Sequence, residues 1–130
     1  MAFQYAVKFV CGDTDGGAVA RGEYFTAINV HNPTEEPISF GKKFALAGEE
    51  AEQPGPVSDF FSAELGPDQV LEIDCRDIFD HTANISSAAF RKGFVIIQSE
   101  VELDVVAVYT AAGLFGRVKT MHLERVAPSS

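Results

Sequence analysis

About every ten residues the chain is cut by glycine, proline, asparagine or aspartate, and the segments between carry a period of two, not 3.6. That pattern confines the fold to short strands joined by turns. Phe3, Tyr5, Val7 and Phe9 alternate with Gln4 and Lys8 until Gly12-Asp13-Thr14-Asp15-Gly16-Gly17 breaks the run. Gly22 to His31 is rich in aromatic and β-branched residues. It stops at Asn32-Pro33-Thr34-Glu35-Glu36-Pro37, because proline cannot donate to a ladder. Ile38, Phe40, Phe44 and Leu46 then share a face that only Lys42 interrupts. Gly48 to Pro56 is acidic and apolar-poor, a long surface loop. Val57 to Leu65 and Gln69 to Asp74 flank Gly66-Pro67-Asp68 as a hairpin. Asp74 is placed to cap a short helix near 75–81, with Asp77 in its first turn. Phe94 to Ser99, Glu102 to Ala112 and, after Gly113-Leu114-Phe115-Gly116, Arg117 to Val126 complete the series. The prediction is all-β: an antiparallel β-sandwich, jelly-roll-like, of seven or eight strands.

At 130 residues the chain suits one domain, placed at residues 1–126, with 127–130 a frayed tail. A chain this long buries roughly two-thirds of its unfolded surface, so neither a metal nor a disulfide is required to hold it. With hydrophobic residues at 46% and charged ones at 22%, disorder is excluded. A net charge of −9 argues against nucleic acid and anionic membrane as partners. No apolar run reaches the roughly 20 residues of a membrane span, so no membrane insertion is expected. The N-terminus lacks the basic start and apolar core of a signal peptide, which with only two cysteines points to the cytoplasm. Cys11 and Cys75 could form one bridge, but two cysteines imply no disulfide framework; both are read as reduced, small and buried.

One feature departs from a sheet with a single wet face. Phe94-Val95-Ile96-Ile97 is apolar in both parities. From 102 to 110, Leu103, Val105, Ala107 and Tyr109 face one way and Val106 and Val108 the other. In the second segment Tyr24, Ile28 and Val30 oppose Phe25 and Ala27. Each such side chain left wet forgoes roughly 1.5–3 kcal/mol, and several together form a patch beyond what monomers carry. A second copy would cover it, with Phe25, Ala27, Phe94, Ile96, Val106 and Val108 as interface; otherwise the Ile78-Phe79 helix turn covers part of it.

No chemistry-bearing motif stands out. Asp13 and Asp15 lack the remaining ligands of a calcium loop. Asp77, Asp80 and His81 are one helical turn apart, the spacing of a metal or acid–base cluster, yet Asp at a helix start and His at its end also suit the helix dipole. His31, His81 and His122 show no metal spacing, and neither a G-x-S-x-G turn nor a phosphate-binding glycine loop is present. Cys11 has no neighbour to activate it as a nucleophile. Lys42-Lys43, Arg91-Lys92 and Arg117/Lys119/Arg125 are the basic clusters, and Arg91-Lys92 reads as a guard against edge mispairing. Loops at one end would form a small-ligand site from Tyr24, His31, Asp77, His81 and Tyr109.

The order of features from Gly22 to Ala112 is also familiar, above all Gly93-Phe94-Val95-Ile96-Ile97-Gln98-Ser99 followed by Val105-Val106-Ala107-Val108-Tyr109-Thr110. It is similar to the small bacterial sensory rhodopsin transducer-like proteins, although Glu100 and Glu102 stand where such strands often carry a proline. The resemblance implies a soluble cytoplasmic β-sandwich that assembles as a homotetramer and binds other molecules without catalysis. The expected function is therefore a non-enzymatic self-associating module for binding, signalling or scaffolding, a tetramer or dimer, with a signalling protein as further partner and no cofactor or metal. A sugar- or metabolite-binding domain is the first alternative. A metal-dependent hydrolase built on the Asp77/Asp80/His81 cluster is the second.

Overall fold

The structure is a computed structural model and describes residues 2–113 and 117–129. Among these residues it is all-β, with eight antiparallel strands and one short helix: β1 (Phe3–Thr14), β2 (Gly22–His31), β3 (Ile38–Leu46), β4 (Phe61–Leu65), β5 (Val70–Asp74), α1 (Cys75–Thr82), β6 (Phe90–Ser99), β7 (Asp104–Ala112) and β8 (Val118–Val126). Residues 114–116 of the expected turn, the Lys119 side chain and Ser130 lie outside the described residues.

The strand order is β4-β3-β6-β1-β2-β7-β8, with β5 on the free part of β2. β1 pairs with β6 from Phe3 to Gly12 and with β2 only from Gly12 to Thr14. Gly12 is the corner where the ladder turns from one layer into the next. Its φ is +105°, a conformation side chains resist, and a Cβ there would run into the Ala89 carbonyl. The result is two layers, β4-β3-β6-β1 and β5-β2-β7-β8.

The layers face each other through one parity of each strand. Tyr5, Val7, Phe9 and Cys11 of β1, Ile28 and Val30 of β2, Phe40 and Phe44 of β3, Val95 and Ile97 of β6, and Val105 and Ala107 of β7 are buried. The Tyr5 hydroxyl enters this core because Leu103 satisfies it: it donates to the Leu103 carbonyl at 3.0 Å and accepts the Leu103 N–H at 2.7 Å.

α1 closes the side of the sandwich between β3 and β5 with Ile78 fully buried. It lies at the edge of the core and so is no cover for the second face of the doubly apolar strands. The expected cap is complete: Asp74 accepts the Asp77 N–H and the Asp77 carboxylate accepts the Asp74 N–H.

Three sequence expectations fail here. The Gly66-Pro67-Asp68 turn closes no hairpin, because β4 pairs with β3 and β5 with β2, in different layers. Cys11 and Cys75 are not reduced; they form a disulfide with Cα atoms 5.6 Å apart, joining β1 to the first residue of α1. Sixty-four residues of sequence hid a contact that the cap geometry and the β1 corner create. Arg91 is not an edge guard, because β6 lies between β3 and β1. Its buried guanidinium donates to the carbonyls of Ala88, Phe79 and Ser86 and to the Thr82 hydroxyl at 2.7–3.1 Å, and stacks on the Phe79 ring. It satisfies the end of α1 and ties down the 82–88 segment. At the other terminus, the Ser129 N–H donates to the Gln4 carbonyl at 2.7 Å.

Candidate functional site

The outer face of the β5-β2-β7-β8 layer is set by the ladder register. Phe25, Thr110 and Met121 form one cross-strand row. Asp74, Ala27, Val108 and Leu123 form the next, then Glu72, Asn29, Val106 and Arg125. Phe25 is 48% exposed, Leu123 62% and Met121 69%. These rows make a continuous apolar strip on the solvent side, edged by Glu72, Asp74 and Arg125. Four of the six residues expected at an interface, Phe25, Ala27, Val106 and Val108, lie here. Met121 and Leu123 were missed because Val118 to Val126 reads as an ordinary alternating strand.

Phe94 and Ile96 lie on the outer face of the other layer, so the six do not share one surface. Their surroundings differ too. Ile96 pairs with Ala6 and Lys43, Lys8 Nζ sits 5.4 Å from the Phe94 ring centre, and Lys43 Nζ sits 4.6 Å from that of Phe60. Lysine stems and the Phe60 ring pack over part of this face, yet Phe94 and Phe60 themselves stay 43% and 48% exposed.

A groove of about 310 Å³ opens between β1 and the β7–β8 hairpin. It exists because β1 leaves β2 beyond the Gly12 corner, so β8 projects past the layer above it. Tyr24, Tyr109, His122, Glu124, Lys8 and Val10 line it. Tyr109 and His122 are stacked, with ring centres 6.2 Å apart. The Tyr109 hydroxyl donates to the Lys8 carbonyl at 2.6 Å and that of Tyr24 to the Ala20 carbonyl, so both present rings and lone pairs, not protons, to a ligand. Burial and then Glu124 push the Tyr109 hydroxyl up to about 12. Burial, reinforced by Lys92, holds the Lys8 amine below its usual range.

Of the expected ligand set, only Tyr24 and Tyr109 meet in this groove. His31 stands at the far end of β2, its Nδ1 2.8 Å from Asp104 and its Nε2 3.3 Å from Asp68, with Arg125 closing the pair on Asp104. The hydrogen bond to Asp104, then that to Asp68, raises the His31 pKa; the same bond to His31, then Arg125, lowers that of Asp104. Asp77 is committed to the helix cap. His81 packs on the rings of Phe61 and Phe44, 4.2 and 5.3 Å away, and burial and then Lys42 lower its pKa. Lys42, the interruption in the third strand pattern, points inward beside this ring stack, and burial depresses it as well. Among the described residues no group of three His, Cys, Asp or Glu side chains is arranged to hold a metal. No helix there is long and apolar enough to cross a membrane.

No protein-family model matches the chain, and no curated protein matches it. Among solved structures it is similar to the crystal structure of Thermotoga maritima 1070, with a TM-score of 0.60 and 11% identity over 96% of this chain and 92% of that one. At that identity the likeness shows the fold alone.

Proposed function

We propose that the chain is a non-enzymatic, self-associating β-sandwich that serves as a binding or scaffolding module. The observation that carries this reading is the apolar strip formed by Phe25, Ala27, Val106, Val108, Met121 and Leu123, with three of the six largely wet. A surface of this composition is stabilised when a partner removes it from water, and a second copy is the partner always at hand. The homotetramer implied by the sensory rhodopsin transducer-like resemblance fits the same reading, as does a signalling protein docked on the assembly. The expected cytoplasmic location rested partly on reduced cysteines. The Cys11–Cys75 bond removes that support. Sedimentation velocity of the wild-type chain beside Phe25→Glu and Val108→Glu tests the assembly reading. The wild type should sediment as an oligomer and both variants as folded, lighter species; unchanged sedimentation in both would remove this face from the assembly.

The aromatic groove favours a second reading, a small-ligand site for a sugar or metabolite, since stacked Tyr109 and His122 offer a flat wall with Glu124 and Lys8 at its rim. Titration of a sugar panel against the wild type and Tyr109→Ala, followed by NMR, should give shifts confined to groove residues and lost in the variant. Shifts that persist in Tyr109→Ala would place any such ligand elsewhere.

A further inference from the structure

β8 is the most exposed regular element in the fold. Every residue from Thr120 to Arg125 is exposed, on both faces of the strand. β8 also ends the strand order and, among the described residues, pairs with no strand on its other side. A nine-residue edge with open backbone groups and wet apolar side chains is a template for strand addition. Resting on the self-association reading above, we propose that β8 pairs antiparallel with β8 of a second copy about a two-fold axis through Leu123, joining two four-stranded layers into one continuous sheet.

The side chains select the partner and the register. An antiparallel pair related by a two-fold axis keeps the same face of both copies on the same side, so outer residues meet outer residues. Centring on Leu123 sets it opposite its own counterpart and extends the intrachain row Ala27–Val108–Leu123 across the axis as a six-residue apolar ladder. On that same outer face Met121 meets the stem of Arg125 of the second copy, and on the other face the register sets His122 opposite Glu124 of the second copy, twice by symmetry. Apolar meets apolar and imidazole meets carboxylate. Moving the centre one residue, to His122, keeps Met121 opposite Leu123 but sets imidazole against imidazole and Glu124 against Thr120, losing both charge pairs.

The register is read by cross-linking. Because Cys11 and Cys75 are paired, a cysteine introduced on β8 is the one free thiol. Directly opposed residues have Cα atoms about 4.5–5.5 Å apart, within disulfide reach; residue 121 or 125 would be about 13 Å from its own copy. Leu123→Cys should therefore form a covalent dimer on mild oxidation at least about tenfold faster than Met121→Cys or Arg125→Cys. In sedimentation, His122→Glu should weaken the dimer about tenfold by opposing two pairs of carboxylates, and adding Glu124→His should restore it. All these side chains are exposed, so folding is checked by circular dichroism and kept. A dimer that survives Leu123→Lys, or cross-links no faster through residue 123 than through 121 and 125, overturns the β8 pairing and leaves self-association standing. A wild-type chain that sediments as a monomer overturns both.

Discussion

Breaking the Cys11–Cys75 bond perturbs one defined quantity, the freedom of the unfolded chain. The two cysteines are 64 residues apart. Closing a loop of that length removes about 14 cal/mol/K from the unfolded ensemble, or about 4 kcal/mol at 25 °C. Unfolding a domain of this size releases about 0.27 kcal/mol/K near its midpoint, so the loss converts to a fall in Tm of about 15 °C. The native side changes little by comparison. Cys11 is fully buried in the β1 row, and the Thr26 N–H points at Cys75 Sγ from 3.1 Å, so reduced thiols keep their places. The assay is differential scanning calorimetry of the oxidised chain, the chain reduced with a phosphine, and Cys11→Ala/Cys75→Ala, with thiols titrated in denaturant to fix the redox state. The near-ultraviolet circular dichroism of the reduced chain at 25 °C should match that of the oxidised one. Melting midpoints within about 3 °C of each other, with two free thiols counted, would refute the loop-closure reasoning.

Arg91→Ala removes four hydrogen bonds from the end of α1 and the 82–88 segment and should cost about 3–5 kcal/mol in urea unfolding; Arg91→Lys should recover only a minority of it, since an ammonium cannot span those acceptors. Tyr5→Phe leaves the buried Leu103 N–H and carbonyl without their partner and should cost about 1–3 kcal/mol at unchanged fold. The His31 tether depends on pH on both sides. A raised His31 pKa contributes fully below the ordinary value of 6.5 and fades as pH rises through the raised value, while a lowered Asp104 pKa contributes above its ordinary 3.8 and fades as pH falls through the lowered value. The stability difference between wild type and His31→Gln should therefore hold its maximum between about pH 4 and 6.5 and shrink in alkali; a difference that stays unchanged as pH rises from about 6 to about 9 would rule out the tether.

Much of the fold was legible because period-two patterning acts locally. The alternation of Phe3 to Phe9 is the burial pattern of β1, and Asp74-Cys75-Arg76-Asp77 holds a complete capping box within four residues. What failed was set by distant pairing. The disulfide needs Gly12 to turn the ladder and α1 to begin where it does, and neither is written beside either cysteine. Arg91 looks like a surface charge until three carbonyls and a hydroxyl from the 79–88 region converge on it. The ligand set mixed residues from three places, because Tyr24 and His31 share a strand yet stand near its opposite ends. Lys42 was the reverse case: its interruption of an apolar face was visible, and its inward position beside His81 is the cause. Six residues were expected to share an interface from parity alone. Parity assigned each to the outside correctly but could not say which layer held it, and so could not foresee that Phe94 and Ile96 would lie on the opposite face of the sandwich from Phe25 and Val108.

The most direct measurement is the molar mass in solution, by light scattering on a sizing column at micromolar concentration. A sandwich whose β2-β7-β8 face is covered by further copies should elute at a whole-number multiple of 14.0 kDa, two or four. A single-chain mass held up to the highest soluble concentration would mean that Phe25, Met121 and Leu123 stay wet in the finished molecule, and the account of this face as an assembly surface would be wrong.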